Sequence, residues 1–132
     1  MESVAKSRYV GTSPRKMRLV IDLIRGIGVE DALSILHFQP KHASKSAEKT
    51  LRSAIANLQN KDHAGRIDMS EIFVKEAFVD SGAMAKRVQP APQGRAYRIR
   101  KRSHHLTIIV AQRKKKTAVK KTVTKKTEIT EN

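Results

Sequence analysis

Between residues 81 and 104 the chain reads SGAMAKRVQPAPQGRAYRIRKRSH. The turn-forming run from Pro90 to Gly94 lies near its middle, and proline and glycine are typical of tight connections between strands. We therefore expect a long β-hairpin. Its arms would have about a dozen residues each, which at about 3.3 Å per residue places the tip ~40 Å from the rest of the protein.

The same segment is strongly basic and contains no carboxylate. Its five arginines and two lysines are Arg87, Arg95, Arg98, Arg100, Arg102, Lys86 and Lys101. Guanidinium groups form forked hydrogen bonds that suit phosphate oxygens. Because a two-stranded ribbon without an apolar face is marginal in water, we expect this hairpin to become ordered only against a polyanion.

The segments that flank the hairpin alternate with the period of a β-strand. In the first strand, Ile72, Val74 and Phe78 are expected on one side, with Phe73, Ala77 and Val79 on the other. In the returning strand, Leu106, Ile108 and Val110 are separated by Thr107 and Ile109. Both segments are rich in β-branched residues, which favours an antiparallel pair.

The N-terminal half predicts a strand over residues 2–10 and three helices, in each of which apolar residues recur at helical spacing. The first helix would begin with Ser13 as N-cap and Pro14 at the first helical position. It would continue through Ile24 to the glycines at 26 and 28. The second ends before Pro40, and the third covers residues 41–60. The predicted fold class is α+β, with three helices packed on a small three-stranded antiparallel sheet.

The chain has 132 residues and a formal net charge of +16. At this length we expect one domain, over residues 1–112, which includes the extended hairpin at 81–105. Residues 113–132 form a lysine-rich segment of low hydrophobicity, and we expect a disordered basic tail with a diffuse electrostatic role.

The charge is unevenly distributed. Residues 1–80 carry a net charge of +3, residues 81–132 carry +13, and 47 consecutive residues after Asp80 lack a carboxylate. This pattern makes a polyanion the expected partner.

The absence of cysteine excludes disulfide scaffolds and thiol nucleophiles. No apolar segment is long enough to span a bilayer or to act as a signal peptide, so a cytoplasmic protein without a membrane partner is expected.

Aromatic residues make up only 4% of the chain, whereas proteins that bind single strands usually present several aromatic side chains for base stacking. Recognition of a folded RNA or a duplex through its shape and phosphates is therefore favoured.

The pair Ser13 and Lys16 matches a bare S-x-x-K pattern without any companion motif. Adjacent His104 and His105 would point to opposite faces of a strand. We therefore expect no catalytic residue, no metal site and no cofactor.

Several of these segments resemble one known family. The run from Gly94-Arg95 to His105-Leu106-Thr107-Ile108-Ile109-Val110, with Lys86 before it, is similar to the signature of bacterial large ribosomal subunit protein twenty-two. The segments at 5–8, 13–20, 22–26 and 53–57 agree as well. The chain departs from the family pattern at Ala91 and Pro92, where the family has a basic and a small residue.

The resemblance implies a structural constituent of the large ribosomal subunit that binds its rRNA and supports assembly. Its hairpin would line the nascent-peptide exit tunnel, with other large-subunit proteins and the nascent peptide as neighbours, and it would be a monomer within the ribosome. The implied rRNA-binding residues are Lys6, Arg8, Arg15, Lys16, Arg18, Lys86, Arg87, Gly94, Arg95, Arg98, Arg100, Lys101 and Arg102. The implied tunnel-facing tip comprises Ala85, Lys86, Arg87, Val88, Gln89 and Pro90.

One alternative remains open from the residues alone. A DNA-architectural protein of the histone-like kind also uses an arginine-rich β-arm with proline at its tip to enter the minor groove. Such a clamp requires a dimer with two arms, so oligomeric state and a preference between duplex DNA and structured RNA would separate the two functions.

Overall fold

The computed structural model describes residues 1–61 and 67–113. Its helices and strands are β1 (Glu2–Val10), α1 (Pro14–Ile21), α2 (Val29–Phe38), α3 (His42–Lys61), β2 (Ile72–Pro90) and β3 (Ala96–Gln112). Short 3₁₀ turns at Met69–Glu71 and Pro92–Gly94 precede β2 and connect β2 to β3. Residues 62–66 and, apart from Arg113, the tail predicted at 113–132 lie outside the described residues.

The three strands form an antiparallel sheet in the order β1-β3-β2. The helices pack against one face, where Leu51 and Leu58 of α3 meet Leu106 and Ile108 of β3, and all four side chains are fully buried. The predicted α+β class, with three helices on a three-stranded sheet and a long hairpin, is confirmed.

The first helix is shorter than predicted because it ends at Ile21. Ile24 is still fully buried, but its N–H donates to the Ile21 carbonyl at 3.1 Å in a tighter turn. The chain then meets β2, where the Gly26 N–H donates to the Val74 carbonyl and the Val74 N–H donates to the Ile27 carbonyl. Pairing with a strand replaces the last turn of the predicted helix.

Ser13 occupies the predicted N-cap position, with extended backbone angles and Pro14 immediately after it. The capping interaction differs from the expected one, because the Ser13 hydroxyl makes no hydrogen bond to the helix. Its carbonyl oxygen instead accepts the N–H groups of Lys16 and Met17 at 3.1 and 3.2 Å. Pro14, which has no N–H to satisfy, starts the helix without help from the side chain.

The predicted sides of Ala77, Phe78 and Val79 relative to Ile72 and Val74 are wrong. A β-bulge between Val74 and Glu76 inserts one extra residue opposite β3 and reverses the alternation beyond it. Ala77 and Val79 therefore join Ile72 and Val74 on the buried face, while the Phe78 side chain lies on the opposite face, which we call the outer face, with 41% of its surface exposed.

Side chains from the helical layer cover both edges of the sheet. At the β2 edge, Arg18 donates to the Val79 carbonyl at 3.0 Å and Arg25 donates to the Ala77 carbonyl at 2.9 Å. At the β1 edge, Asn57 donates to the Val4 carbonyl at 3.2 Å and Lys61 donates to the Glu2 carbonyl at 3.3 Å. These bonds satisfy carbonyl groups that an edge strand leaves open.

A salt bridge joins the two outer strands, with 2.6 Å between Lys75 Nζ and Glu2 Oε1. The hydrogen bond from Lys75 lowers the pKa of the Glu2 carboxyl, and the bond to Glu2 raises the pKa of the Lys75 ammonium. The Glu2 contribution to stability is therefore present at neutral pH and is lost as the pH falls through the lowered pKa. Both groups are exposed, so screening by salt keeps the contribution small.

The predicted hairpin is continuous, because β2 and β3 remain paired from the body of the protein to Pro90 opposite Ala96. The part that leaves the body, from Gly82 to Ser103, is called the arm here. Ser81 and the buried His104 still pair within the body. The arm therefore reaches about 30 Å at ~3.3 Å per residue, which is less than the expected ~40 Å.

A second bulge, between Ser81 and Met84, lies where the arm begins. Gly82 is located there, and a Cβ atom at this position would lie 2.7 Å from Ser103 Oγ and 3.2 Å from the Ser103 carbonyl carbon. Glycine thus permits the two strands to approach closely at the base of the arm.

We expect Gly82→Ala to reduce the free energy of unfolding by about 1–3 kcal/mol, because the added methyl group forces the strands apart. Urea denaturation measures this change. Gly11→Ala is the matched control, since a Cβ atom at Gly11 meets nothing within 4 Å and should change stability by less than about 0.5 kcal/mol. Equal effects of both substitutions would contradict a packing role for Gly82.

Candidate nucleic-acid interface

The arm has two faces of different charge, because residues opposite each other in an antiparallel pair project to the same side. Met84 is opposite Arg102, Lys86 opposite Arg100 and Val88 opposite Arg98. One side therefore carries four cations, and we call it the cationic face (Lys86, Arg98, Arg100 and Arg102). The second face carries Ala85, Arg87, Gln89, Tyr97, Ile99 and Lys101, with only two cations.

The cations of the arm are available to an external anion. They are exposed, and within the described ranges 1–61 and 67–113 none of them lies within 4.0 Å of a carboxylate oxygen. The Arg87 guanidinium donates to the adjacent Lys86 carbonyl at 3.0 Å, which orients it along the strand. Guanidinium groups without carboxylate partners can offer their N–H groups to phosphates.

A groove of about 630 Å³ lies where the arm joins the helices. We call it the root groove; its lining residues are Gly11, Thr12, Ser13, Lys16, Leu19, Lys41, His42, Ala43, Arg100, Lys101 and Arg102. Five of these are lysine or arginine, and none is acidic. A concave surface with charges of one sign focuses the electrostatic potential, so the root groove extends the cationic face toward the body.

The predicted body residues lie at several different places. Lys16 lies in the root groove with Arg100, Lys101 and Arg102, whereas Lys6 and Arg8 line a different cleft on the outer face of the sheet. Arg15 is exposed on α1. The Arg18 guanidinium donates to the Val79 carbonyl of β2, shortly before the arm begins, so this side chain has a structural partner.

Sequence reasoning missed Lys41 and His42, which line the root groove together with Lys16 and Arg100. Lys41 immediately precedes α3 and His42 is its first residue. Both are about sixty positions from the arm in sequence, so no local pattern connects them to it. Only the packing of α3 against the sheet brings these charges together.

The cleft on the outer face has a volume of about 240 Å³, and we call it the outer cleft. Lys6, Arg8, Tyr9, Asp80, His105 and Thr107 line it. Tyr9 has a positive φ of +55° and lies in the irregular part of β1 between Ser7 and Val10. Its backbone N–H donates to His105 Nδ1 at 3.1 Å. This cleft thus combines cations, one carboxylate and an aromatic ring.

The tip of the arm is a loop closed by a 2.8 Å hydrogen bond from the Ala91 N–H to the Arg95 carbonyl. Gln93 and Gly94 have φ angles of +62° and +71°, and glycine adopts such angles without strain.

The predicted tunnel-facing residues alternate between the two faces. Lys86, Val88 and Pro90 share the cationic face, whereas Ala85, Arg87 and Gln89 project from the second face.

The two adjacent histidines project in opposite directions, as predicted. His104 is fully buried beneath the sheet, with its Nδ1 2.8 Å from the Thr12 carbonyl, while His105 lines the outer cleft. Across residues 1–61 and 67–113, no three histidine or acidic side chains are arranged to hold a metal ion. In the same ranges, no helix is long and apolar enough to cross a membrane.

Comparison with known proteins connects this geometry to one family. Residues 5–111 match the family described as Ribosomal protein L22p/L17e. The chain is 57% identical over 106 residues to "Large ribosomal subunit protein uL22" of Flavobacterium johnsoniae, covering 80% of this chain and 77% of that protein. The protein of the same name from Chlorobium luteolum is 54% identical over 110 residues, with 83% and 92% covered. That from Bacteroides fragilis is 54% identical over 109 residues, with 83% and 79% covered.

Proposed function

Because this chain belongs to the ribosomal protein L22p/L17e family, we propose that it is a structural component of the large ribosomal subunit that binds large-subunit rRNA along its arm. The observation that carries the proposal is the continuity between the cationic face and the root groove, which together form a surface where none of the described lining residues is acidic. Such a surface fits the closely spaced phosphates of folded RNA.

The mode of binding follows from the shape of the arm. A narrow two-stranded ribbon can lie between RNA segments that a globular surface cannot reach, and its exposed guanidinium groups can pair with phosphates on the side that it faces. Exposed aromatic residues on the arm are few, so its recognition rests on RNA shape and phosphate position rather than on runs of stacked bases.

The two faces of the arm support a division of contacts at the exit tunnel. The cationic face would lie against rRNA, and the second face, with Ala85, Arg87 and Gln89, would face the tunnel and the nascent peptide. Lys86, Val88 and Pro90 would then belong to the rRNA side. The root groove and the body would lie among rRNA and neighbouring proteins of the subunit, with one copy of the chain per ribosome in the cytoplasm.

A competition experiment separates this function from DNA architecture. Labelled large-subunit rRNA is bound to the full chain and displaced by unlabelled rRNA or by duplex DNA of equal phosphate content. We expect rRNA to compete more effectively, and sedimentation to show a monomer. If about six arm cations neutralise phosphates, log K should fall with log salt at a slope of roughly −4 to −5. Stronger competition by DNA together with a dimer would instead support a DNA clamp, and a flat salt response would remove the phosphate mechanism.

A further inference from the structure

We propose that the outer cleft binds one unpaired RNA base, which stacks on the Tyr9 ring while its phosphate contacts Lys6 and Arg8. This inference rests on the proposed rRNA-binding function and deepens it, because it assigns base recognition to a surface separate from the arm. The contacts that support it involve the backbone of β1, the Tyr9 ring and the polar groups of the cleft.

The backbone holds Tyr9 in an unfavourable conformation. Its φ of +55° lies in the left-handed region, which a bulky side chain such as tyrosine seldom occupies. The irregular pairing of β1 between Ser7 and Val10 turns the residue outward, and the bond from its N–H to His105 Nδ1 fixes it there. Strain of this kind persists where the surrounding structure imposes it, often at binding sites.

The Tyr9 ring is available for stacking. Tyr9 is 69% exposed, although its large aromatic side chain could be buried. The His105 ring supports it in an edge-to-face contact, with ring centroids 4.7 Å apart and an interplanar angle of 88°. Because this contact leaves most of the tyrosine ring in solvent, an unstacked base can lie against it, as in other sites that recognise splayed-out RNA bases.

The polar groups around the ring match the two ends of a nucleotide. Lys6 and Arg8 are cations without a carboxylate within 4.0 Å in the described part of the chain, and they suit the phosphate. Since His105 Nδ1 accepts the Tyr9 N–H, the proton of the neutral ring is on Nε2, where it can be donated. Asp80 is the carboxylate of the cleft, and it can accept from an exocyclic amino group. A carboxylate would weaken a site for phosphate alone, so its presence favours a base bearing an amino group.

The test uses the full chain and large-subunit rRNA. Tyr9→Asn removes the ring, and asparagine tolerates positive φ, so the variant should fold at least as stably as the wild type. We expect its affinity for rRNA to fall about 10- to 100-fold with an unchanged salt slope, because stacking is lost and phosphate contacts remain. Tyr9→Phe, which keeps the ring, should bind within about twofold of wild type.

Chemical probing of the RNA identifies the base itself. Wild-type protein should protect at least one unpaired base from modification at its Watson–Crick edge, and Tyr9→Asn should expose that base while the hydroxyl-radical footprint of the arm persists. Equal affinity and equal base protection for wild type and Tyr9→Asn would overturn the stacking site while leaving rRNA binding intact. Absence of rRNA binding by the wild-type chain would overturn the proposed function and this inference together.

Discussion

Replacing all four residues of the cationic face by glutamine should weaken binding to large-subunit rRNA about a thousandfold at 0.1 M salt. Each neutralised phosphate contributes roughly 0.7–0.9 to the slope of log K against log salt. Loss of four cations therefore reduces the slope by about 3. Because 0.1 M salt is tenfold below 1 M, a slope smaller by about 3 corresponds to an affinity about a thousandfold lower at 0.1 M. Filter binding or fluorescence anisotropy over a salt series measures both quantities.

The matched control removes the same charge from another surface. Lys45, Lys49, Arg52 and Lys61 are exposed on α3, and their replacement by glutamine changes the net charge equally. If the arm carries the RNA contacts, this control should lose less than about tenfold in affinity, through weaker long-range attraction. Equal losses for the two variants would show that net charge alone determines binding, and the assignment of the interface to the arm would be wrong.

Leu106→Ala should lower the free energy of unfolding by about 2–5 kcal/mol. Leu106 is fully buried on the central strand, where it is paired with Ser7 of β1 and Val79 of β2. Its truncation leaves a cavity beneath the helices that neighbouring side chains can fill only in part. Since small domains are stable by only about 5–15 kcal/mol, the variant should show a clear loss in urea or thermal denaturation.

Val88→Ala is the comparison for this prediction, because it is also a truncation of an aliphatic residue on a paired strand. Val88 belongs to the arm and is 67% exposed, so we expect a change below about 0.5 kcal/mol. This pair of variants tests whether the stability of the protein resides in the body. A cost at Val88 similar to that at Leu106 would mean that the arm contributes a core of its own.

The fold was largely predictable from periodicity. The apolar stripe of the third helix predicted a segment at 41–60, and the structure has α3 at His42–Lys61. The hairpin followed from the turn residues Pro90 to Gly94 between two β-branched segments. These features depend on residues near each other in sequence, which is why one sequence was sufficient to find them.

The bulges could not be predicted in the same way. Alternation placed Phe78 on the side of Val74, but an extra residue opposite β3 reverses the pattern between them. A bulge depends on how two strands pair, and the first strand alone gives no sign of it. The early end of α1 has a similar origin, since the hydrogen bonds of Gly26 and Ile27 with Val74 depend on tertiary packing.

The candidate interface was predictable in composition and not in arrangement. The basic residues of the arm were evident from the sequence, but their division into two faces required the register of β2 and β3. The root groove required the packing of α3, which contributes His42 and brings the preceding Lys41 with it. The positive φ of Tyr9 had no local signal, because neither glycine nor asparagine occupies that position.

The side chains that close the edges of the sheet stop where the body ends. Arg18 and Arg25 cover β2 only as far as Val79, and β1 pairs with β3 only as far as His104, so in the described ranges 1–61 and 67–113 each edge of the arm presents a row of backbone groups with which no further strand pairs. Such rows invite another copy to add as a further strand. Repulsion between chains of net charge +16 opposes this self-association, but near 1 M salt the repulsion is screened within about 3 Å. A buffer salty enough to dissociate the proposed RNA complex is therefore also expected to favour aggregation of the free protein.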